Sequence, residues 1–460
     1  MINLFPKIIS KCCAYFLIFA SSLSSAKSDL ALVYELALSN DPNIKASKAN
    51  YLANSEIKNQ ARSLLLPNLQ ANASYSKTDQ KSESRRYYST TPTELNLDLE
   101  NEITFYNLSI TQNLFNLQAF FSYKESIALA SKAELAHQID KQLLILRTAE
   151  SYFNVLRNKE TLASTIAEER AIKKQYEKTK QLYENGLTSI TGVHESRAAF
   201  DMIISKRLID EVNLEMSYEN LFLLTGKKHH LLKNLSNIFE SSLPLPNDIE
   251  KWVDFSAKNN LEIKFAQKTL EASQQHTNSK RSAHAPTIQA SLRYDDNDSN
   301  TIQTDRLTSS SLPDAFSYSS GSTIEIKMNL PLWSSGKKNS ERRQAHYIEL
   351  RDREKLKAKK QEVFKKTRSL FLQTVSDIAK INASKNAKIS AQSALDSTQT
   401  GYNLGSRNIV DLLNAQRDLY QAERNLSSSR YDYILNSLRL KQMAGTLIEE
   451  DLYTLNKLLE

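Results

Sequence analysis

Asp411 is the residue whose setting most invites a chemical role. In GYNLGSRNIVDLLN, residues 401–414, one carboxylate stands among Ile409, Val410, Leu412 and Leu413, just past two glycines. Such an acid can attract cations, or it can serve the helix that carries it. An acid in the first turn of a helix gains ~0.3–1 kcal/mol from the macrodipole, and Ser406 is placed to act as N-cap. Both readings stay open on spacing alone. A matching stretch, YENGLTSITGVHES at 183–196, offers His194 and Glu195, but Ala198 occupies the position where HExxH needs its second histidine. The pair His229–His230 lacks metal-ligand spacing. No Gly-rich phosphate loop and no nucleophile–base set stands out, so the reading is of a non-enzyme with no cofactor and no metal.

Charge narrows the partners. The chain is basic, at +8 formal net charge, and ERRQAHYIELRDREKLKAKKQEVFKKTR at 341–368 concentrates cations. Acids recur there at helical distances, as on a solvated helix face. The N-terminus also reads as a secretory signal over residues 1–26: Lys7 and Lys11, the apolar CCAYFLIFASSL, then small residues ending at Ala26. The apolar run is too short for a membrane anchor. Export and interspersed acids together exclude nucleic acid as a partner. Both cysteines, Cys12 and Cys13, lie inside the signal, so the mature chain is expected to hold no disulfide.

The elements that would position Asp411 are long. The 460 residues include only 8 Gly and 9 Pro, with no proline between Pro92 and Pro244 or after Pro331. Turns need these residues, so their scarcity predicts few elements of great length. The chain also repeats itself at an offset near 219. NDPNIKA at 40 answers NNLEIKF at 259, and LPNLQANASY answers APTIQASLRY. Gly186 answers Gly405, and Gly226 answers Gly445. The two repeats are set at 27–245 and 246–460, joined by SSLPLPND.

Each half is expected to begin with a helix ending near Pro67 or Pro286, at 43–66 and 262–285. Two strands follow, at about 68–78 and 103–115 in the first half and 287–296 and 322–333 in the second. Leu69, Ala71, Ala73 and Tyr75 alternate with polar residues, as do Tyr106, Leu108 and Ile110, then Ile288, Ala290, Leu292 and Tyr294, and Ile324, Ile326, Met328, Leu330 and Leu332. Period-two alternation makes a sheet with one apolar face. The long charged Ser/Thr-rich segments between the strands read as solvated loops. Tyr87, Tyr88, Phe105, Tyr106, Phe316 and Tyr318 fit equally an interfacial aromatic belt or core and loop anchors.

Helical hairpins then run over about 117–225 and 337–444, turning near Gly186 and Gly405. At 1.5 Å per residue, ~65 uninterrupted residues make a rod on the order of 100 Å. Ile139, Leu143, Leu146, Ala149, Phe153 and Leu156 form one packing seam. Leu412, Leu419, Leu426, Tyr433 and Leu440 recur every seven residues, with Ala415, Ala422 and Ser429 beside them, which predicts coiled-coil contacts.

Four strands cannot close a barrel alone, and an open edge is forbidden in lipid. Copies of the chain must therefore pool strands, in multiples of four. With long helices attached, that describes a conduit.

These stretches resemble the TolC family of bacterial outer-membrane exit ducts over essentially the whole mature chain. The most specific are GYNLGSRNIVDLLNAQRDLYQAERNLSSSRYDYILNSLRLKQMAGTL and ENGLTSITGVHESRAAFD, with LLLPNLQ and NLPLW in support. The resemblance implies a mixed, mostly α fold. It further implies a homotrimer with a 12-stranded β-barrel in outer-membrane lipid and a helical barrel in the periplasm. It implies passive export of drugs, toxins or proteins, as the exit duct of a tripartite efflux or type I secretion system. The partners would be a periplasmic adaptor and an inner-membrane ABC or proton-driven transporter.

By the same resemblance, Tyr402 and Arg407 belong to a latch closing the periplasmic end, with Thr191 as one partner. Gly192 stands where the family has an aspartate, which removes an ion pair. Asp411 matches the first of two acidic rings at the pore constriction, and Asn414 replaces the second. One acidic ring instead of two predicts weaker cation selectivity. The rival classes are a non-channel coiled-coil stalk and a periplasmic adaptor. A stalk needs no amphipathic strands, and the lipoyl-like and barrel modules of an adaptor are not seen.

Overall fold

The computed structural model describes residues 28–88, 91–229, 231–236, 239–306 and 308–460, with the backbone alone at 86–88, 91–93 and 95. The expected signal segment, with Cys12, Cys13 and Ala26, lies outside the described residues, as do His230 and the side chains of Tyr87 and Tyr88.

In chain order the elements are α1 (Leu30–Asn40), α2 (Pro42–Ser63), β1 (Asn68–Tyr88), β2 (Thr91–Asn116), α3 (Leu117–Glu184) and α4 (Ile190–Thr225). Then come α5 (Ile249–Asn259), α6 (Leu261–Ser282), β3 (Thr287–Asp305), β4 (Ser310–Ser311), β5 (Ala315–Asn329), α7 (Lys337–Asn403), α8 (Ile409–Ala444) and α9 (Glu449–Asn456). The starts of α1 and α5, of α2 and α6, of β1 and β3, and of α4 and α8 are each 219 residues apart. Capping follows the repeat. Asp41 Oδ1 accepts from the Asn43 amide and Asn260 Oδ1 from the Ile263 amide, each satisfying an orphan donor at a helix start. Three helices escaped the sequence reading: α1, α5 and α9. They are short, and packing rather than long periodicity holds them.

The chain divides into two compact units. One comprises the segment up to Lys48 with His137–Ile263 and Lys359–Glu460. Its main core gathers Leu30, Val33, Tyr34 and Ala37 of α1 with Tyr152, Phe153 and Leu156 of α3, Leu221 of α4, Tyr431 and Ile434 of α8, and Leu452 of α9. The rings of Phe153 and Tyr431 lie 5.8 Å apart. The α8 seam is buried at Leu412, Leu419, Tyr433 and Leu440, with Ser429 and Ala422 beside it. On α3 the seam differs from expectation: Leu143 is exposed, and Leu144, Ile145 and Leu146 are all buried, because α3 meets neighbours on more than one side.

The other unit comprises Ala49–Ala136 and Lys264–Ala358 and holds the sheet. Its long strands pair antiparallel in the order β1-β2-β3-β5, with β4 on the far end of β3. The segments read as solvated loops are largely strand: β1 reaches Tyr88 and β2 resumes at Thr91. Charge does not prevent this, because opposite charges face each other across the ladder. Lys77 pairs with Glu100 and Glu102, Arg85 with Glu94, and Arg306 with Glu83 and Asp98. At the other end β5 stops at Asn329, short of the expected Trp333, since Pro331 has no amide to donate.

Register lines the apolar residues into transverse rows. Leu69, Ile110, Leu292 and Ile324 are direct neighbours across all four strands. Phe115, Ile288 and Met328 make another row on the same face, and Ala71, Leu108 and Tyr294 a third. This face is uncovered, with Ile324 81% exposed. The opposite face is polar and internally bonded: Asn72 donates to Asn107 (3.2 Å) and Asn107 to Asp295 (2.6 Å). Among the described residues no helix is long and apolar enough to cross a membrane.

Candidate functional site

Both helical hairpins reverse through the same local geometry. Gly186 and Gly405 have φ of 74° and 76°, the left-handed region where a side chain is strained. At the first turn the Leu187 amide bonds Leu182 O and the Gly186 amide bonds Tyr183 O. At the second, the Ser406 amide bonds Gly401 O and the Gly405 amide bonds Tyr402 O. Each is a Schellman ending, which satisfies carbonyls a helix terminus leaves orphaned. A Cβ at Gly401 would sit 2.8 Å from Arg407 Cγ, so the arginine stem folds back over that glycine.

The second helix then starts on Asn408, not on Ser406. Asn408 Oδ1 accepts from the Asp411 amide at 2.8 Å, and Asp411 Oδ2 accepts from the Asn408 amide at 3.4 Å. That is a capping box. Ser406 instead donates its hydroxyl to Gly401 O at 3.0 Å, which explains why it is unavailable as the cap. One Asp411 oxygen is thus engaged with the backbone. Asn414, one turn on, is exposed.

The turns meet through apolar packing. Ile172, Ile203, Ile409, Leu412 and Leu413 form a cluster, with Tyr402, Phe200 and Leu395 packed against it. Gly192 is buried here, and a Cβ on it would lie 3.5 Å from Ile409 Cγ2. Thr191 and Arg407 are exposed, and among the described residues Arg407 has no ion-pair partner. A link the sequence reading missed joins the two hairpins: Lys178 Nζ donates to Asn403 Oδ1 at 2.9 Å and lies 5.8 Å from the Tyr402 ring centre.

Beside this cluster a groove of about 590 Å³ runs between α4 and α8, with Met202, Val410, Leu413 and Asn414 along it. At its base Glu168 of α3 and Arg424 of α8 form a 2.7 Å ion pair, 3% and 6% exposed. Burial holds the nearby Lys206 ammonium below its usual pKa, and the Arg424 charge adds to the effect. This pair also escaped the sequence reading, because each partner looks like any charged helix residue until the fold brings the two together. His229, by contrast, is bonded to Thr225 and Ser28 hydroxyls, which is the setting of a structural histidine.

Comparison with known proteins adds to this geometry. The family model described as "Outer membrane efflux protein" matches twice, at residues 33–227 and 252–446. The chain is 32% identical over 441 residues to "Outer membrane protein TolC" of Escherichia coli (strain K12), covering 95% of this chain and 86% of that protein. It is 26% identical over 423 residues to "Alkaline protease secretion protein AprF" of Pseudomonas aeruginosa, covering 91% and 85%. Among solved structures, the Campylobacter jejuni CmeC outer membrane channel superposes with a TM-score of 0.76 at 14% identity, covering 95% of this chain and 91% of that one.

Proposed function

Because the chain belongs to the outer membrane efflux protein family, we propose that three copies assemble into the exit duct of an efflux or type I secretion system. It is an outer-membrane channel protein, and its curated relatives carry outer-membrane and protease-secretion names. One observation supports the assembly above others. The sheet bears an apolar face in rows across four strands, while β1 and β5 each leave one edge unpaired within the chain. An unpaired edge cannot face lipid. Joining β1 of one copy to β5 of the next removes every edge and gives an even-numbered barrel.

The dimensions agree with this reading. The Phe115–Ile288–Met328 row bounds the apolar band at one end, and the Tyr75–Thr104–Asp298–Tyr318 row bounds it at the other, where Asp296 and Asp298 of β3 bring charge onto this face and Tyr318 donates its hydroxyl to Asp296. Eleven β2 steps separate the two rows, on the order of 37 Å of strand. At a ~40° tilt this spans ~28 Å, close to a hydrocarbon core. Tyrosines at one border and Phe115 at the other suit the two interfaces.

In the assembled duct, the hairpin turns form the periplasmic end. Asp411 and Asn414 line the constriction there, while Tyr402, Arg407, Thr191 and Gly192 lie at the closing contacts. Gly192 against Ile409 replaces a charged link by packing. A periplasmic adaptor and an inner-membrane transporter, ABC or proton-driven, complete the pathway. Purification in mild detergent tests the assembly: a threefold mass and single-channel currents in planar bilayers are expected. A monomer that carries no current would overturn the reading. Co-purification with an ATPase or with a proton-driven pump identifies the transporter class.

A further inference from the structure

Four junctions join the sheet to helices, and all four lie at one end of it. β1 starts at Asn68 opposite Thr111, β2 ends at Asn116 opposite Thr287, and β5 ends at Asn329 opposite the same Thr287. Hydrogen bonds tie the helix ends together there. Asn113 Nδ2 donates to Leu64 O at 2.9 Å, Ser279 Oγ to Gln118 O at 3.2 Å, and Lys338 Nζ to Ala283 O at 2.6 Å. Across residues 58–67, 111–124, 280–290 and 329–343, nine lysines and arginines stand against one acid, Glu341. Lys280 takes that acid at 3.2 Å. Arg62, Arg281, Lys337, Arg342 and Arg343 are exposed and, among the described residues, have no ion-pair partner.

Part of this charge has a local use. Arg62, Lys280 and Arg281 stand in the last turns of α2 and α6, where the macrodipole favours cations. The α7 cations have the opposite setting. Lys337, Lys338, Arg342 and Arg343 fall in the first two turns of that helix, and no acid stands in the first. The dipole and their mutual repulsion both oppose this arrangement, so it calls for an anion from outside the chain. Apolar neighbours mark where that anion sits. Leu332 and Trp333, between β5 and α7, are 87% and 84% exposed, the setting of an interfacial indole. The collar begins just past the Phe115–Ile288–Met328 row. The first two turns of α7 extend ~10 Å, comparable with the ~5–8 Å headgroup layer beside a hydrocarbon core. The far border of the band differs, since there Asp296 and Asp298 put acids on the apolar face.

We propose that this collar binds the phosphate headgroups of anionic phospholipids, in the leaflet on the helical side of the bilayer. The inference rests on the barrel proposed above and specifies which lipids surround it. A lipid phosphate in that layer meets arginine guanidinium groups in bidentate geometry. Long basic side chains reach the layer from helix ends that lie beside it. The apolar body of the same lipid covers Leu332 and Trp333. Each juxtamembrane cation adds to the attraction, and salt weakens it.

Trp333 is a built-in reporter, because Trp252, the other tryptophan, is buried. The full-length protein is inserted into phosphatidylcholine vesicles in which a minor fraction of lipid is brominated in its acyl chains. That fraction is phosphatidylglycerol in one set and phosphatidylcholine in the other. Quenching of Trp333 by brominated phosphatidylglycerol is expected to exceed that by its choline counterpart by about threefold or more. Arg62→Gln combined with Arg281→Gln, Arg342→Gln and Arg343→Gln should bring the two together, while Arg→Lys at the same four positions keeps the excess. Equal quenching of wild type by the two lipids overturns the proposal, as does an excess undiminished in the glutamine variant. Loss of the excess when inorganic phosphate replaces chloride at constant ionic strength assigns the site to the free anion and also overturns it. Channel currents with equal quenching leave the barrel standing without the collar. No current and no quenching by either lipid overturn both.

Discussion

Asp411 joins a capping role seen in the structure to a pore role that is proposed. Its carboxylate closes the capping box on Asn408, which accounts for an acid at that position without any pore. The second oxygen has no such duty. Asp411→Asn should lower cation preference in bilayer recordings and also cost ~0.5–1 kcal/mol of helix start. Asn414→Asp adds a carboxylate at an exposed position one turn on, so cation selectivity and block by multivalent cations should both rise. Unchanged reversal potentials in both variants would remove these residues from the conduction path. His276 gives a different residue-scale test. Its hydrogen bond to Glu125 at 3.1 Å raises its pKa above the ordinary histidine value, against the opposing effect of burial. The contribution is therefore fully present below about pH 6.5 and is lost as pH rises through the higher folded-state value. For a pair this open to solvent it is under ~1 kcal/mol. Wild type should lose melting temperature between pH 6 and pH 8 relative to His276→Gln; parallel pH profiles would discard the idea.

At the scale of elements, the repeat makes paired experiments available. Gly226 and Gly445 end equivalent helices with φ of 70° and 71°. Their surroundings differ. A Cβ on Gly226 would meet Asn40 side-chain atoms at 3.6 Å, whereas one on Gly445 would lie 2.4 Å from the Asn259 carbonyl carbon. Both alanine variants carry left-handed strain of ~1–2 kcal/mol, and Gly445→Ala must also displace backbone. It should therefore melt distinctly lower than Gly226→Ala in the same detergent, and equal losses would show that the α5–α6 junction yields freely. The repeat was legible because glycines, prolines and alternating strands recur at one offset. Strand length was not, because period-two apolar alternation fades beyond Tyr75 while the ladder continues on ion pairs such as Arg85 with Glu94. The cap was misplaced by two residues because Ser406 and Asn408 are both good cap formers, and only the Schellman bond to Gly401 O commits the serine elsewhere.

For the whole molecule, function depends on an apolar face that a soluble protein would hide. Leu69, Ile110, Leu292 and Ile324 occupy the middle row of the band, where lipid is farthest from either interface. Ile324 sits on β5, the strand proposed to meet the next copy, so in that assembly a substitution there would be repeated around the closed barrel. Ile324→Arg should destabilise each copy by ~2–4 kcal/mol if the row lies at the bilayer midplane. Its neighbour Glu325 points to the polar face, and Glu325→Arg should be nearly neutral by the same measure, since strand position is matched and only the face differs. Folding into lipid vesicles under urea separates the two cases. A large loss for Ile324→Arg with little for Glu325→Arg places the apolar rows against lipid. Equal effects, or the reverse order, would mean that this face meets water or protein, and the barrel would have to be turned inside out.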